Sequence, residues 1–92
     1  MINEVWFIES IRQAMTTAHT NAMEKGFYGE PYNMNRNVGE AIALMHSELS
    51  EALEAHLHGN PPSDHIPEFS GLEEEFADLL IRVFDTAYAL DL

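Results

Sequence analysis

The sequence predicts an all-α fold, and three observations lead to that prediction. Apolar residues recur at alternating steps of three and four in three separate segments, which is the spacing of one face of an amphipathic helix. Residues that cap helices stand at the starts of these segments, and Gly or Pro follows the first two. The connections are short, which favours antiparallel neighbours. We therefore expect one domain over residues 1–92, an antiparallel bundle of three main helices at about residues 4–25, 37–58 and 71–90.

The first helix is indicated by an apolar face that runs through the segment before Gly26. Asn3 can cap its start and Gly26 can end it. The residues on this face are Ile8, Ile11, Met15, Ala18 and Ala22. The segment that follows, residues 26–37, mixes Gly, Pro and Asn with aromatic residues and has no regular period, so we expect a loop.

The second helix carries two neighbouring stripes. Asn37 with Glu40 three residues later resembles a capping box. One stripe is apolar and is expected to form the core: Val38, Ile42, Met45, Leu49 and Leu53. The other stripe contains Ala41, Leu44, Glu48, Glu51 and Ala55. The two acids therefore lie at the edge of the buried face, where an unpaired charge is costly.

The third helix repeats this pattern after a capping box formed by Ser70 and Glu73. Its core-spaced residues are Leu72, Phe76, Leu79, Val83, Ala87 and Leu90. The adjoining polar stripe contains Glu75, Asp78, Arg82 and Asp85. For Asp85, three roles stay open: a place in the same site, a salt bridge with Arg82, or simple exposure. The remaining acids near these helices, Glu54, Glu73 and Glu74, are expected in solvent or in caps.

Composition limits both the partners and the setting of the chain. With 92 residues and 46% hydrophobic content the chain can form one domain, but it is near the small end of what buries a sufficient core. We therefore expect homo-oligomerisation to complete a four-helix-type core. A formal net charge of -12 opposes nucleic-acid binding, so a phosphate ligand should arrive with its metal ion. The absence of cysteine, of a signal-like start and of an apolar run of about 20 residues indicates a soluble, cytoplasmic protein.

Two pairs of acids at helical spacing predict a metal site. Glu48 and Glu51 lie three residues apart on the second helix, and Glu75 and Asp78 repeat that spacing on the third. Carboxylate oxygens are hard ligands that suit Mg²⁺, with Mn²⁺ as an alternative. Four carboxylates in a partly buried space would repel one another without a cation. The alternative interpretation of each pair is a solvated helix face, which an acidic chain offers many times by chance.

These acids and their surroundings resemble a known family. The order Glu48-x-x-Glu51, a linker and Glu75-x-x-Asp78 resembles the signature of the MazG-like all-α nucleoside triphosphate pyrophosphohydrolases, and the likeness extends over residues 25–28, 36–54 and 74–85. The resemblance implies a helical homodimer or homotetramer with Mg²⁺ on the four acids. It also implies cleavage of a nucleoside triphosphate between the α and β phosphates, giving a monophosphate and pyrophosphate. One of the acids would orient or deprotonate the water.

Substrate-binding candidates follow from residue type and from this resemblance. Lys25 and Arg36 are candidates for phosphate contacts, Trp6 and Tyr28 for stacking on a base, and Asn33 for reading its edge. Lys25 could instead complement the end of the first helix, and Trp6 could belong to the core or to an interface.

Four other interpretations compete with the hydrolase. Family members commonly continue into a further helix that carries basic groups to the phosphates, whereas this sequence ends at Leu92. The leading alternative is therefore a non-catalytic helical module for oligomerisation or binding, with a structural or vestigial metal site. Zinc and di-iron sites are disfavoured, because the histidines lack ligand spacing and no Glu has His three residues later. Nucleic-acid binding is disfavoured by the charge.

Overall fold

The structure is a computed structural model that describes residues 4–26 and 37–92. It contains three helices in these ranges, α1 (Glu4–Glu24), α2 (Val38–Leu57) and α3 (Gly71–Ala89). Each begins and ends within one residue of its predicted bounds. The all-α prediction is therefore confirmed, while the proposed Asn3 cap lies outside the described residues.

The helix ends use the local chemistry that the sequence predicts. The Asn37 side chain accepts a hydrogen bond from the Glu40 N–H, and Ser70 forms a full capping box with Glu73. At the other ends Gly26 has φ of 80° and Gly59 has φ of 81°, a backbone conformation that glycine adopts without strain. The helix bounds are thus specified largely by local sequence.

The α2–α3 connection is a folded hairpin. Residues Pro62 and Ser70 form an isolated antiparallel bridge, which brings the two helix ends together. A Cβ atom added to Gly71 would lie 3.0 Å from the Cβ of Ala55, so glycine permits a close approach of α3 to α2. Near the middle of the two helices Arg82 contacts Glu48, and together with the approach of Gly71 to Ala55 this contact shows that α2 and α3 are antiparallel.

Helix α3 is central to the fold. Both α1 and α2 pack on α3, and within the described ranges they do not pack on each other. The three helices of the single chain therefore form an open layer. None of the helices in residues 4–26 and 37–92 combines the length and the apolar character that a membrane crossing requires.

The predicted core stripe of α1 is buried at Met15, Ala18 and Ala22, whereas the predicted core stripes of α2 and α3 are exposed or half-buried in the single chain. On α2, Leu49 is 47% and Leu53 59% exposed, and on α3, Phe76 is 50% exposed. The buried apolar residues of the described chain are instead mostly small: Met15, Ala18, Ala22, Ala41 and Ala52. Helices α2 and α3 meet through the stripes that carry their acids, because small residues on α2 allow the close approach. Periodicity locates an apolar face but does not identify what covers it.

Candidate metal centre

Three carboxylates converge where α2 packs against α3. A spacing of three residues places Glu48 and Glu51 on one face of α2, and Glu75 faces them from α3. One oxygen of each carboxylate lies within 4.8 Å of the others, close enough to share a metal ion. Glu48 is only 6% exposed, Glu75 is half-buried and Glu51 is exposed. The group therefore has a buried floor and one side open to solvent.

Two of these carboxylates hold a buried oxygen atom that has no hydrogen-bond donor. Oε1 of Glu48 accepts a hydrogen bond from Nε of Arg82 at 2.8 Å, whereas Oε2 of Glu48 is buried without a partner. Oε2 of Glu75 is buried without a partner as well. Buried polar atoms are almost always paired, so each of these two requires an explanation. A proton shared between Glu48 and Glu75 would satisfy both oxygens, and so would a cation.

The acid–base properties of the group reflect this crowding. Burial raises the pKa of Glu75, and the neighbouring Glu48 and Glu51 raise it further, to about 8. Burial also acts to raise the pKa of Glu48, but a proton shared with Glu75 and the hydrogen bond from Arg82 outweigh it, so the pKa of Glu48 is lowered overall. Without a cation, Glu75 therefore carries the proton at neutral pH and Glu48 carries the charge.

The fourth predicted ligand belongs to a second, overlapping group. Asp78 lies with Glu74 and Glu75, and one oxygen of each is within 4.8 Å of the others. Burial raises the pKa of Asp78, and the charges of Glu48 and Glu74 add to that effect. The four acids predicted from the sequence thus lie in two groups that share Glu75.

The position of Glu74 contradicts the sequence-based assignment to solvent or a cap. Its side chain is buried and accepts hydrogen bonds from Ser63 Oγ at 2.9 Å and from His65 Nδ1 at 2.8 Å. The hydrogen bond from His65 lowers the pKa of Glu74, and that from Ser63 adds to the effect. The donors come from the α2–α3 connection, so spacing within α3 could not reveal this burial.

Asp85 does not form the salt bridge with Arg82 that the sequence left open. Arg82 pairs with Glu48, while Asp85 lies on the α1 side of α3 and pairs with His19 through Oδ1 and Nδ1 at 2.9 Å. Both Asp85 and His19 are buried. Arg82 stands four residues after Asp78, as the one basic residue of that polar stripe, and this spacing was a signal for its place beside the acids.

The substrate-binding candidates that lie within the described residues, Lys25 and Trp6, are not next to the carboxylates. Lys25 borders a groove of about 420 Å³ between α1 and α3, whereas the carboxylates lie between α2 and α3. Trp6 is 62% exposed on α1. Tyr28, Asn33 and Arg36 lie outside the described ranges, so their predicted roles stay predictions.

The carboxylate groups fit a hard divalent cation. Within residues 4–26 and 37–92, the metal-capable groups consist of carboxylates alone, which suits Mg²⁺ or Mn²⁺ and not zinc. The two buried oxygens that lack donors, on Glu48 and Glu75, are positioned to be satisfied by such an ion. No protein-family model, curated protein or solved structure matches the chain in sequence or structure comparisons. The fold and the site define an all-α protein with a buried carboxylate centre.

Proposed function

We propose that this chain is a Mg²⁺-dependent nucleoside triphosphate pyrophosphohydrolase, which cleaves between the α and β phosphates. The observation that carries the proposal is the pair of buried, donorless oxygens on Glu48 and Glu75, next to the accessible carboxylate of Glu51. The order and context of the acids, which resemble the MazG-like family, supply the reaction and the substrate class. The geometry supports the metal site, and the resemblance supports the chemistry.

Each acid has a role that follows from its exposure. Glu48 and Glu75 form the buried side of the site, where their oxygens would hold the ion, with Asp78 beside Glu75. Glu51 is exposed and therefore borders the side from which substrate and water arrive. Bound Mg²⁺ would neutralise phosphate charge, polarise phosphorus and lower the pKa of a water molecule. With a net charge of -12, the chain binds a polyphosphate only where a cation offsets that charge.

The test is pyrophosphate release from a panel of canonical and modified nucleoside triphosphates with Mg²⁺. We expect selective turnover that a chelator abolishes and that Glu51→Gln reduces at least about 100-fold, the scale of a lost catalytic group. Glu54→Gln is a matched control, because Glu54 is exposed on the same helix and outside both carboxylate groups. Wild-type protein that is folded and releases no pyrophosphate from any member of the panel would contradict the proposal.

We further propose that the chain acts as a homodimer or homotetramer. The accessible surface is 6903 Å², against about 5,400 Å² for a folded monomer of this mass. The exposed apolar stripes of α2 and α3 are the surfaces for a second copy, since burying them would complete the core that the single chain lacks. Light scattering should give a multiple of 10.4 kDa, and a monomeric mass at micromolar concentration would contradict it.

A second candidate function is favoured by these same apolar stripes. In this alternative the chain is a non-catalytic oligomerisation or binding module, and the carboxylates hold a structural cation. It predicts that Mg²⁺ raises the melting temperature while no nucleotide is hydrolysed. Turnover that Glu51→Gln abolishes would exclude it.

A further inference from the structure

We propose that Arg82 is a positioning residue for the metal ligands, which acts by holding Oε1 of Glu48 and leaving the buried Oε2 for a cation shared with Glu51 and Glu75. This inference rests on the proposed metal site and adds to it a residue from outside the carboxylates. The contact joins α3 to α2 across the interface, with Nε of Arg82 at 2.8 Å from Oε1 of Glu48. The Glu48 side chain is 7% and the Arg82 side chain 35% exposed.

The two oxygens of the Glu48 carboxylate have different surroundings. Oε1 is occupied by the guanidinium group, and Oε2 is buried with no donor. A carboxylate whose one oxygen is held in place has lost much of its freedom to rotate, so less order must be created when a cation binds the other oxygen. Outer hydrogen bonds of this kind typically contribute a factor of about 10 to 100 to metal affinity.

A purely electrostatic role for Arg82 predicts the opposite sign. The guanidinium group is a positive charge beside a cation site, so its removal would strengthen cation binding if charge alone mattered. The orienting role predicts weaker binding after the same removal. The direction of the change in metal affinity therefore separates the two roles.

The experiment is a Mn²⁺ titration of the full chain, followed by electron paramagnetic resonance, for wild type and Arg82→Gln. We expect Arg82→Gln to weaken Mn²⁺ binding by about 10-fold or more. Arg82→Lys should recover part of the loss, because an ammonium group can still donate to Oε1. Arg12→Gln is the matched control: it removes the same charge from an exposed position on α1 and should leave the affinity unchanged.

A double-mutant cycle shows whether the effect passes through Glu48. In a Glu48→Gln background, Arg82→Gln should cause no further loss of Mn²⁺ affinity. Circular dichroism of each metal-free variant reports folding. If Arg82→Gln does not fold, the Mn²⁺ affinity of Arg82→Lys is compared with that of the wild type instead. Unchanged or tighter Mn²⁺ binding by a folded Arg82 variant would overturn the positioning role alone. A wild-type chain that binds no Mn²⁺ would overturn the metal site and this inference together.

Discussion

Acids are buried on both sides of helix α3, and the acids on the two sides are in opposite situations. On the α1 side, Asp85 is 3% exposed and pairs with His19, whose ring stacks on Tyr88 with centroids 4.3 Å apart. On the α2 side, Glu48 has a partner for one oxygen and none for the other, and Glu75 also holds a buried donorless oxygen. Burial of an acid therefore does not by itself mark a site. A buried acid with a dedicated partner stabilises the fold, whereas a buried acid with an open coordination position indicates a ligand.

The largest expected effect is on the α1 side. Asp85→Ala would remove the carboxylate that pairs with the buried His19 ring, so we expect a loss of about 3 kcal/mol in the free energy of unfolding, measured with urea. Glu9→Ala, at an exposed position on α1, should change it by less than about 0.5 kcal/mol. If the contrast between the two sides of α3 holds, the folded fraction of Asp85→Ala still binds Mn²⁺ with wild-type affinity. A parallel loss of metal binding would show that the two sides are not independent.

The second effect concerns the α2 side. Mg²⁺ at about 100 times its dissociation constant should stabilise the wild type by about 2.7 kcal/mol, since a ligand that binds only the native state adds to its stability. Glu48→Gln should remove most of this gain, while Glu54→Gln should retain it. Thermal melts with Mg²⁺ and with chelator measure both. Equal melting temperatures of the wild type with Mg²⁺ and with chelator would mean that the buried oxygens of Glu48 and Glu75 do not bind Mg²⁺.

A smaller effect is the pH dependence of the metal-free chain. The pKa of Glu75 is about 8 in the folded chain against an ordinary value of 4.5, so between these values the native state keeps a proton that the unfolded state has lost. Its contribution to stability is therefore fully present below about pH 4.5 and is lost as the pH rises to about 8. The pKa of Asp78 is also raised, by burial first, and that of His65 by its hydrogen bond with Glu74, so both act in the same direction.

Glu75→Gln isolates the contribution of Glu75 in this window. We expect the metal-free variant to lose less stability than the wild type between pH 5 and pH 8, because Gln carries no ionisable proton. Urea unfolding at several pH values measures the difference. If the free energy of unfolding depends on pH in the same way in both proteins, Glu75 is ionised at neutral pH. That result would contradict a proton shared between Glu48 and Glu75.

Much of the fold was predictable because it depends on local chemistry. The caps at Asn37 and Ser70 and the glycine ends at Gly26 and Gly59 act within a few residues, so the helix bounds could be predicted closely. The convergence of Glu48, Glu51 and Glu75 was also predictable, since helical spacing on two antiparallel helices brings such acids to one interface. Lys25 was chosen as a phosphate-binding candidate by residue type and resemblance, and it lies beside a different groove.

The sequence by itself determined three helices, their caps and the acids that face each other between α2 and α3, because these follow from periodicity and short-range hydrogen bonds. The tertiary structure alone decided which stripe is covered, that Arg82 holds Glu48, that Ser63 and His65 hold the buried Glu74, and that Asp85 pairs with His19. These contacts join residues on different elements, and the distance between elements depends on how closely small residues such as Ala55 and Gly71 let the backbones approach. The spacing of residues along a single helix does not predict that distance.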